Sequence, residues 1–468
     1  MEYSKKERLS WRKSLVKLFF VLSIILGVFL RLKLTNESLS KTTHFFDDYG
    51  RDILVAKNLF KNNLFLAPNS SFEALKNTPL YYWILAVSYW LAGENGIKLF
   101  FFLIGLLTIF LAYVLGEKIN KKGLIFSSLL ATSLVFKNLT HDIWQPTLIP
   151  FFILLSIYFL VMYETKKKMK YLSLVIIFYS CSIFIHYSAI FLLPVFLISS
   201  THITCKIKPL SSRIRVFILS IGMSLVFASL FFYSLSKSSL ENNSFHFFTT
   251  LDTITQSSLH FSQNDFSKIY QSTSLLIDKF LYIPAAFFSI IISFIAYLKY
   301  KNKWSLQISE MIFLFWAPLS LLFVFLTPNK IVPEHYLSAF FPLIIFYPAF
   351  LFDRGKILNY FGSMWIFIII IFNVIAQFNI LKSDQLFLDF TDQYNHITSF
   401  FIDYGEKNNI NLSAIYSVDQ YCFENFEISP KYCIYSSWNS AYVWYGIEEK
   451  LKKDLVKHPF YEDNSLSI

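Results

Sequence analysis

The sequence predicts an all-α polytopic membrane protein with about eleven transmembrane helices plus interfacial helices, and a small C-terminal extracytoplasmic α/β domain. Three observations predict it. Over half of the 468 residues are hydrophobic, 54 of them Phe, and only 12 are Gly, more apolar surface than a soluble chain buries. Many windows reach the ~20 apolar residues that a hydrocarbon layer of roughly 30 Å demands of a helix. Lys plus Arg exceed Asp plus Glu by 42 to 31, and the excess sits in short loops between apolar runs. That placement is a topology signal rather than a nucleic-acid footprint.

The elements follow in order. Lys5, Lys6, Arg8, Arg12 and Lys13 precede an apolar run, Ser14 to Leu30, with no small-residue cleavage site after it. The expectation is an uncleaved anchor with its N-terminus inside. A polar segment, Arg31 to Thr78, then opens a first extracytoplasmic loop placed at residues 31–95. It holds His44-Phe45-Phe46-Asp47-Asp48-Tyr49-Gly50-Arg51-Asp52 and a short amphipathic stretch, Asp52 to Phe60. The following stretch, Thr78 to Gly93, is rich in Tyr and Trp and too short to span. Such rings favour the headgroup level, so it is expected to be interfacial or re-entrant.

That expectation sets everything downstream. The run Gly96 to Leu115 then travels inward, and later spans fall near Leu124–Phe136, Thr147–Tyr163, Leu172–Ile185, Ala189–Ser200, Val216–Leu235, Phe280–Leu298, Ile308–Leu326, Leu337–Phe352 and Asn359–Gln377. With this parity Lys118, Lys121 and Lys122, the Lys166–Lys170 cluster, Lys206 to Arg215, Lys299 to Lys303, and Arg354 with Lys356 all lie inside. The positive-inside bias requires that sidedness. The N-terminus is then cytoplasmic and the C-terminus extracytoplasmic. Residues 1–377 form the transmembrane domain, and residues 378–468, with short alternating runs such as Ala414 to Val418, form the outer domain. Cys181 falls in a span and Cys205 in a basic loop; Cys422 and Cys433 lie together in the tail, where an outward location permits pairing.

Three outward constellations carry candidate chemistry. In the first, Asp47, Asp48, Arg51 and Asp52 crowd three carboxylates and a guanidinium together. Adjacent aspartates repel unless a proton, cation or metal separates them, and a carboxylate at the edge of a low-dielectric layer suits a general base or a metal ligand. Acids at a helix N-terminus are the structural alternative. On a helix beginning near Asp48, Arg51 and Asp52 share its face. The second is Thr140 to Pro146, with Asp142 as a further carboxylate or as a cap. The third is Asn329 to Tyr336, where Lys330 and His335 offer positive charge to a departing phosphate or to lipid headgroups. His186, at another outward helix end, reads as a structural residue.

The order of these features resembles a known family. Phe46 to Asp52, Pro79-Leu80-Tyr81-Tyr82, Trp144-Gln145-Pro146, His186-Tyr187, and His335-Tyr336 with Pro342 follow one another as in the GT-C superfamily of integral-membrane glycosyltransferases. The chain is similar to protein O-mannosyltransferase-like and aminoarabinose-transferase-like members over roughly Ser14 to Phe352. Tyr49 stands where Gln is common, and Gln145 replaces the usual Asn of Trp-Asn-Pro.

The resemblance implies a GT-C-like fold and inverting transfer of a sugar from a polyprenyl-phosphate donor to an acceptor hydroxyl at the extracytoplasmic face of the cell membrane. It implies Asp48 as general base, with Asp47 the alternative. Arg51, Asp52, Asp142, Lys330, Glu334, His335 and Tyr336 are the implied donor-phosphate or substrate contacts. The resemblance names no definite cofactor; a divalent metal, if one binds, would fall to Asp47, Asp48 and Asp142. The bilayer and the lipid-linked donor are the expected partners, with a protein, lipid or glycan acceptor and no nucleic acid. A transporter or flippase calls for ionisable residues at mid-membrane, whereas the charges here sit at span ends. A polysaccharide polymerase or ligase calls for an Arg-rich outward loop, yet Ser236 to Lys279 holds three lysines and no arginine.

Overall fold

A computed structural model describes residues 5–40, 79–119, 121–133, 143–193 and 356–383, together with 52, 53, 55–57, 59, 136, 196, 197, 199, 200, 214, 218, 338, 339, 342, 345, 346 and 349. The described elements are helical. They are α1 (Lys5–Ser40), α2 (Pro79–Lys118), α3 (Gly123–Thr132), α4 (Gln145–Lys166), α5 (Met169–Ile185), a 3-10 helix (Tyr187–Leu192) and α6 (Lys356–Ser383). Three of them contain apolar stretches long enough to cross a membrane: Ser14–Leu32 within α1, α2 and α4. The expected spans near Leu124, Thr147, Leu172 and Asn359 fall on α3, α4, α5 and α6. Those expected at Phe280–Leu298 and Ile308–Leu326, nearly all of Val216–Leu235, and the tail domain with Cys422 and Cys433 lie outside the described residues.

These helices are apolar on their outer faces as well as their inner ones. In α1 Leu15, Leu18, Leu22, Ile25 and Phe29 are exposed, and in α6 Met364, Ile368, Ile371 and Ile375 are. A soluble helix would put charges there; lipid-facing helices do not. Inside, backbones approach closely, as small residues allow. A side chain at Gly27 of α1 would collide with the Ala131 carbonyl of α3. Ser128 Oγ donates to the Phe20 carbonyl across the same seam at 2.9 Å. Arg31 closes it, its guanidinium reaching the Leu130 carbonyl at 3.4 Å and lying 4.5 Å from the Phe136 ring centroid. Phe19 stacks obliquely on Phe367 of α6 at 4.4 Å, and Phe126 of α3 stacks on Phe346 at 4.3 Å. Ala339, Ile345, Phe346 and Ala349 are all buried at helical spacing, within the span expected at Leu337–Phe352.

Short joints fix the relative directions. Lys167, in the left-handed conformation, and Lys168 alone separate α4 from α5, so the two run antiparallel. Between α2 and α3 the Lys122 N–H donates to the Gly116 carbonyl at 2.8 Å, with Lys121 at φ 55°. Lysines therefore crowd both joints, at Lys118, Lys121 and Lys122 and at Lys166 to Lys170.

The helix α2 is two helices meeting at a corner. Ala92 (φ −154°, ψ 31°) and Gly93 (φ 60°, ψ −147°) leave helical geometry, and Gly93 occupies a region open essentially to glycine. The turns fold so tightly that a side chain at Gly96 would strike the Ser88 carbonyl. Pro79 to Leu91 is thus a separate 13-residue segment of about 20 Å, too short for the hydrocarbon layer. The break falls where the Tyr/Trp stretch was expected to end.

Candidate functional site

The beginnings of α2 and α4 are set by proline. Pro79 opens α2, and Pro146 occupies the first turn of α4, where its missing N–H costs nothing. Trp144, extended at φ −147°, is the N-cap of α4, so the cap position does not fall on Asp142. Gln145, the first residue of α4, is buried there.

Gln145 meets the first loop through Tyr82. Its Nε2 donates to the Tyr82 hydroxyl at 3.2 Å, and that hydroxyl donates to Asp52 Oδ1 at 2.9 Å. Both Asp52 and Tyr82 are 0% exposed. The chain of bonds has one polarity, ending on a carboxylate, and such bonds strengthen one another away from water. Three segments separated by 30 and 63 positions are joined here. Around the cluster Ile53, Val55, Ala56 and Leu59 are buried, so the expected amphipathic stretch from Asp52 turns an apolar face to the protein. Tyr81 packs edge-on against Tyr82 at 5.1 Å. The two tyrosines expected at the headgroup level are instead inside the protein, because a buried carboxylate needs their end of the helix; Trp90, 75% exposed, keeps the interfacial character.

The same end of the α4–α5 pair carries His186, the extended residue that caps the end of α5. The Ser188 backbone N–H donates to its Nδ1 at 3.2 Å, and Ser188 Oγ lies 2.9 Å from the same nitrogen. Accepting at Nδ1 puts the ring proton on Nε2. Tyr179 secures the turn by donating to the Ala189 carbonyl at 2.7 Å. This is the structural role expected of His186. Sequence reasoning passed over Lys98, which is buried just past the corner and pairs with Glu94 at 2.7 Å. An i, i+4 acid–base pair beside a glycine in the Tyr/Trp region was its available signal.

Of the residues named from sequence, Asp52 is described and is placed as above. Asp47, Asp48, Arg51, Asp142, Lys330, Glu334, His335 and Tyr336 lie outside the described residues. Among the described residues no three His, Cys, Asp or Glu side chains gather as metal ligands.

Residues 76–233 match the family model described as dolichyl-phosphate-mannose-protein mannosyltransferase. The similarity expected from the motifs is thereby shown over that stretch, which contains Tyr82 and Gln145. An uncharacterized protein of Aquifex aeolicus (strain VF5) is 32% identical over 177 residues, 35% of this chain and 36% of that protein. The crystal structure of ArnT from Cupriavidus metallidurans bound to undecaprenyl phosphate matches with a TM-score of 0.49 and 18% identity, covering 73% of this chain and 61% of that one. The chain thus covers less than two thirds of either relative. The family match and the long apolar helices make this a membrane protein.

Proposed function

We propose that the chain is a membrane glycosyltransferase that moves a sugar from a polyprenyl-phosphate donor to an acceptor hydroxyl at the extracytoplasmic face. The observation that carries this reading is the family match over residues 76–233, because the description of that family names a sugar held on a lipid phosphate. Support also comes from the buried carboxylate at the end of the first loop's acidic cluster, and from the lysine-rich joint after α4, which begins at the far end of that helix from Gln145, some 33 Å away. By the positive-inside bias those lysines mark the cytoplasmic side and the Gln145 end the outer one.

The chemistry follows from the charges. Asp48, with Asp47 as its alternative, takes the proton of the acceptor hydroxyl. The acceptor oxygen bonds to the anomeric carbon from the face opposite the leaving group, the bond from that carbon to the phosphate oxygen breaks, and the configuration inverts. The departing polyprenyl phosphate gains negative charge, which Arg51, Lys330 and His335 offset. Asp142, Glu334 and Tyr336 complete the polar lining, and Asp52, enclosed beside Tyr82, stands behind it. A short Tyr/Trp helix along the interface and Phe-rich spans provide apolar walls for the lipid.

Replacing Asp48 with Asn removes the base and keeps the shape. Transfer of labelled sugar from a polyprenyl-phosphate hexose into membranes is expected to fall by about a hundredfold or more while the variant elutes as folded protein. Undiminished transfer would refute Asp48 as base, and Asp47→Asn then tests its neighbour. The sidedness is checked by impermeant thiol labelling of Asn95→Cys, expected to react from outside intact cells.

A further inference from the structure

Tyr82 is fully engaged and fully enclosed. Its O–H is given to Asp52 at 2.9 Å, its oxygen receives Gln145 at 3.2 Å, and both it and Asp52 are 0% exposed. A carboxylate in that position is screened from a passing substrate on the side that Tyr82 covers. Gln145, in turn, begins a 22-residue helix, a rigid element on which to hang a loop. An Asn at that position, as the resemblance leads one to expect, would be shorter by one methylene, about 1.5 Å, and a 3.2 Å bond would pass out of hydrogen-bond range. The departure from the family pattern is therefore matched to Tyr82.

We infer that Asp52 is a positioning residue, the loop-side anchor of a Gln145–Tyr82–Asp52 clamp that fixes the end of the first loop's acidic cluster against α2 and α4 and so acts on Arg51 and Asp48, one and four positions earlier in the chain. It does not contact the donor. The inference rests on the glycosyltransferase reading for its effect on turnover, but the clamp itself has a readout independent of activity. A positioning carboxylate acts as a hydrogen-bond acceptor, so an amide oxygen replaces it; a group acting by charge on phosphate or metal is not replaced that way.

The test uses the full chain in detergent and in membranes, with a polyprenyl-phosphate hexose as donor. Asp52→Asn is expected to keep turnover within about threefold of the original, whereas Asp52→Ala and Tyr82→Phe lose about ten- to a hundredfold in kcat with donor KM little changed. Tyr82→Phe combined with Asp52→Ala is expected to be little worse than Tyr82→Phe alone, since the Tyr82–Asp52 bond that Asp52→Ala cuts is already one of the two lost with the hydroxyl. Gln145→Asn is expected to fall between. In parallel, amide hydrogen exchange over residues 52–59 is expected to quicken in Tyr82→Phe and Gln145→Asn, both conservative enough to fold. An Asp52→Asn variant as inactive as Asp52→Ala, or Tyr82→Phe with unchanged exchange, overturns the inference. If the unaltered protein transfers no sugar from such donors, the functional reading fails; the exchange comparison then still decides whether the clamp exists.

Discussion

The two halves of α2 are continuous in sequence and opposite in what they do with their surfaces. From Pro79 to Leu91 the buried face is polar at its tip, with Tyr81, Tyr82 and Ser88 inside and Trp90 and Leu91 outside. From Glu94 to Lys118 the exposed face is a stripe of Leu99, Leu103, Leu107 and Phe110, spaced four, four and three apart, and the buried face is almost wholly apolar. The first half reaches a carboxylate; the second is long and apolar enough to cross lipid. The difference teaches that hydropathy alone does not define a span: both halves are apolar, but only one is long enough and has a uniformly apolar exterior.

Three substitutions break or sharpen that contrast. Tyr82→Ala removes a buried ring and the hydroxyl between Asp52 and Gln145, and should cost about 3–5 kcal/mol, read as a large drop in the unfolding midpoint in detergent. Gly93→Ala meets no atom within 4 Å but must adopt φ 60°, so its cost is backbone strain alone, about 1–3 kcal/mol. Phe110→Ala, on the lipid-facing stripe at 63% exposure, should move the midpoint by no more than about 0.5 kcal/mol although it deletes an equally large ring. If Phe110→Ala proved as costly as Tyr82→Ala, the stripe would be a protein contact and the contrast would fail.

What could be read in the sequence was whatever is local. The Tyr/Trp composition and Gly93 marked the corner, Pro146 marked the start of α4, and lysines marked the joints, because length, dihedral preference and charge act within a few residues. The polar clamp was not local. Asp52 was singled out for its neighbours Asp47, Asp48 and Arg51, yet its described partner is Tyr82, 30 positions on, and the partner of that is Gln145, 63 further. Tyr82 was noticed as an interfacial ring and as the last residue of the Pro79 to Tyr82 motif, since composition cannot tell a hydroxyl facing headgroups from one facing a buried carboxylate. Gln145 was noted as a departure from Trp-Asn-Pro, and that departure was the one trace of the clamp that the chain itself carried.

Lys122, at the joint after α2, gives its ammonium to the Ala349 carbonyl at 2.7 Å, across 227 positions. During synthesis that acceptor does not yet exist when α3 is made. At a ribosome's pace of about 5–20 residues per second the delay is on the order of 10–45 s. The early helices therefore exist for that interval before the late segment bearing Phe346 and Ala349 can reach the Lys122 ammonium. A chain truncated upstream of Ala349 is expected to lack this one long-range bond between the early helices and the late segment.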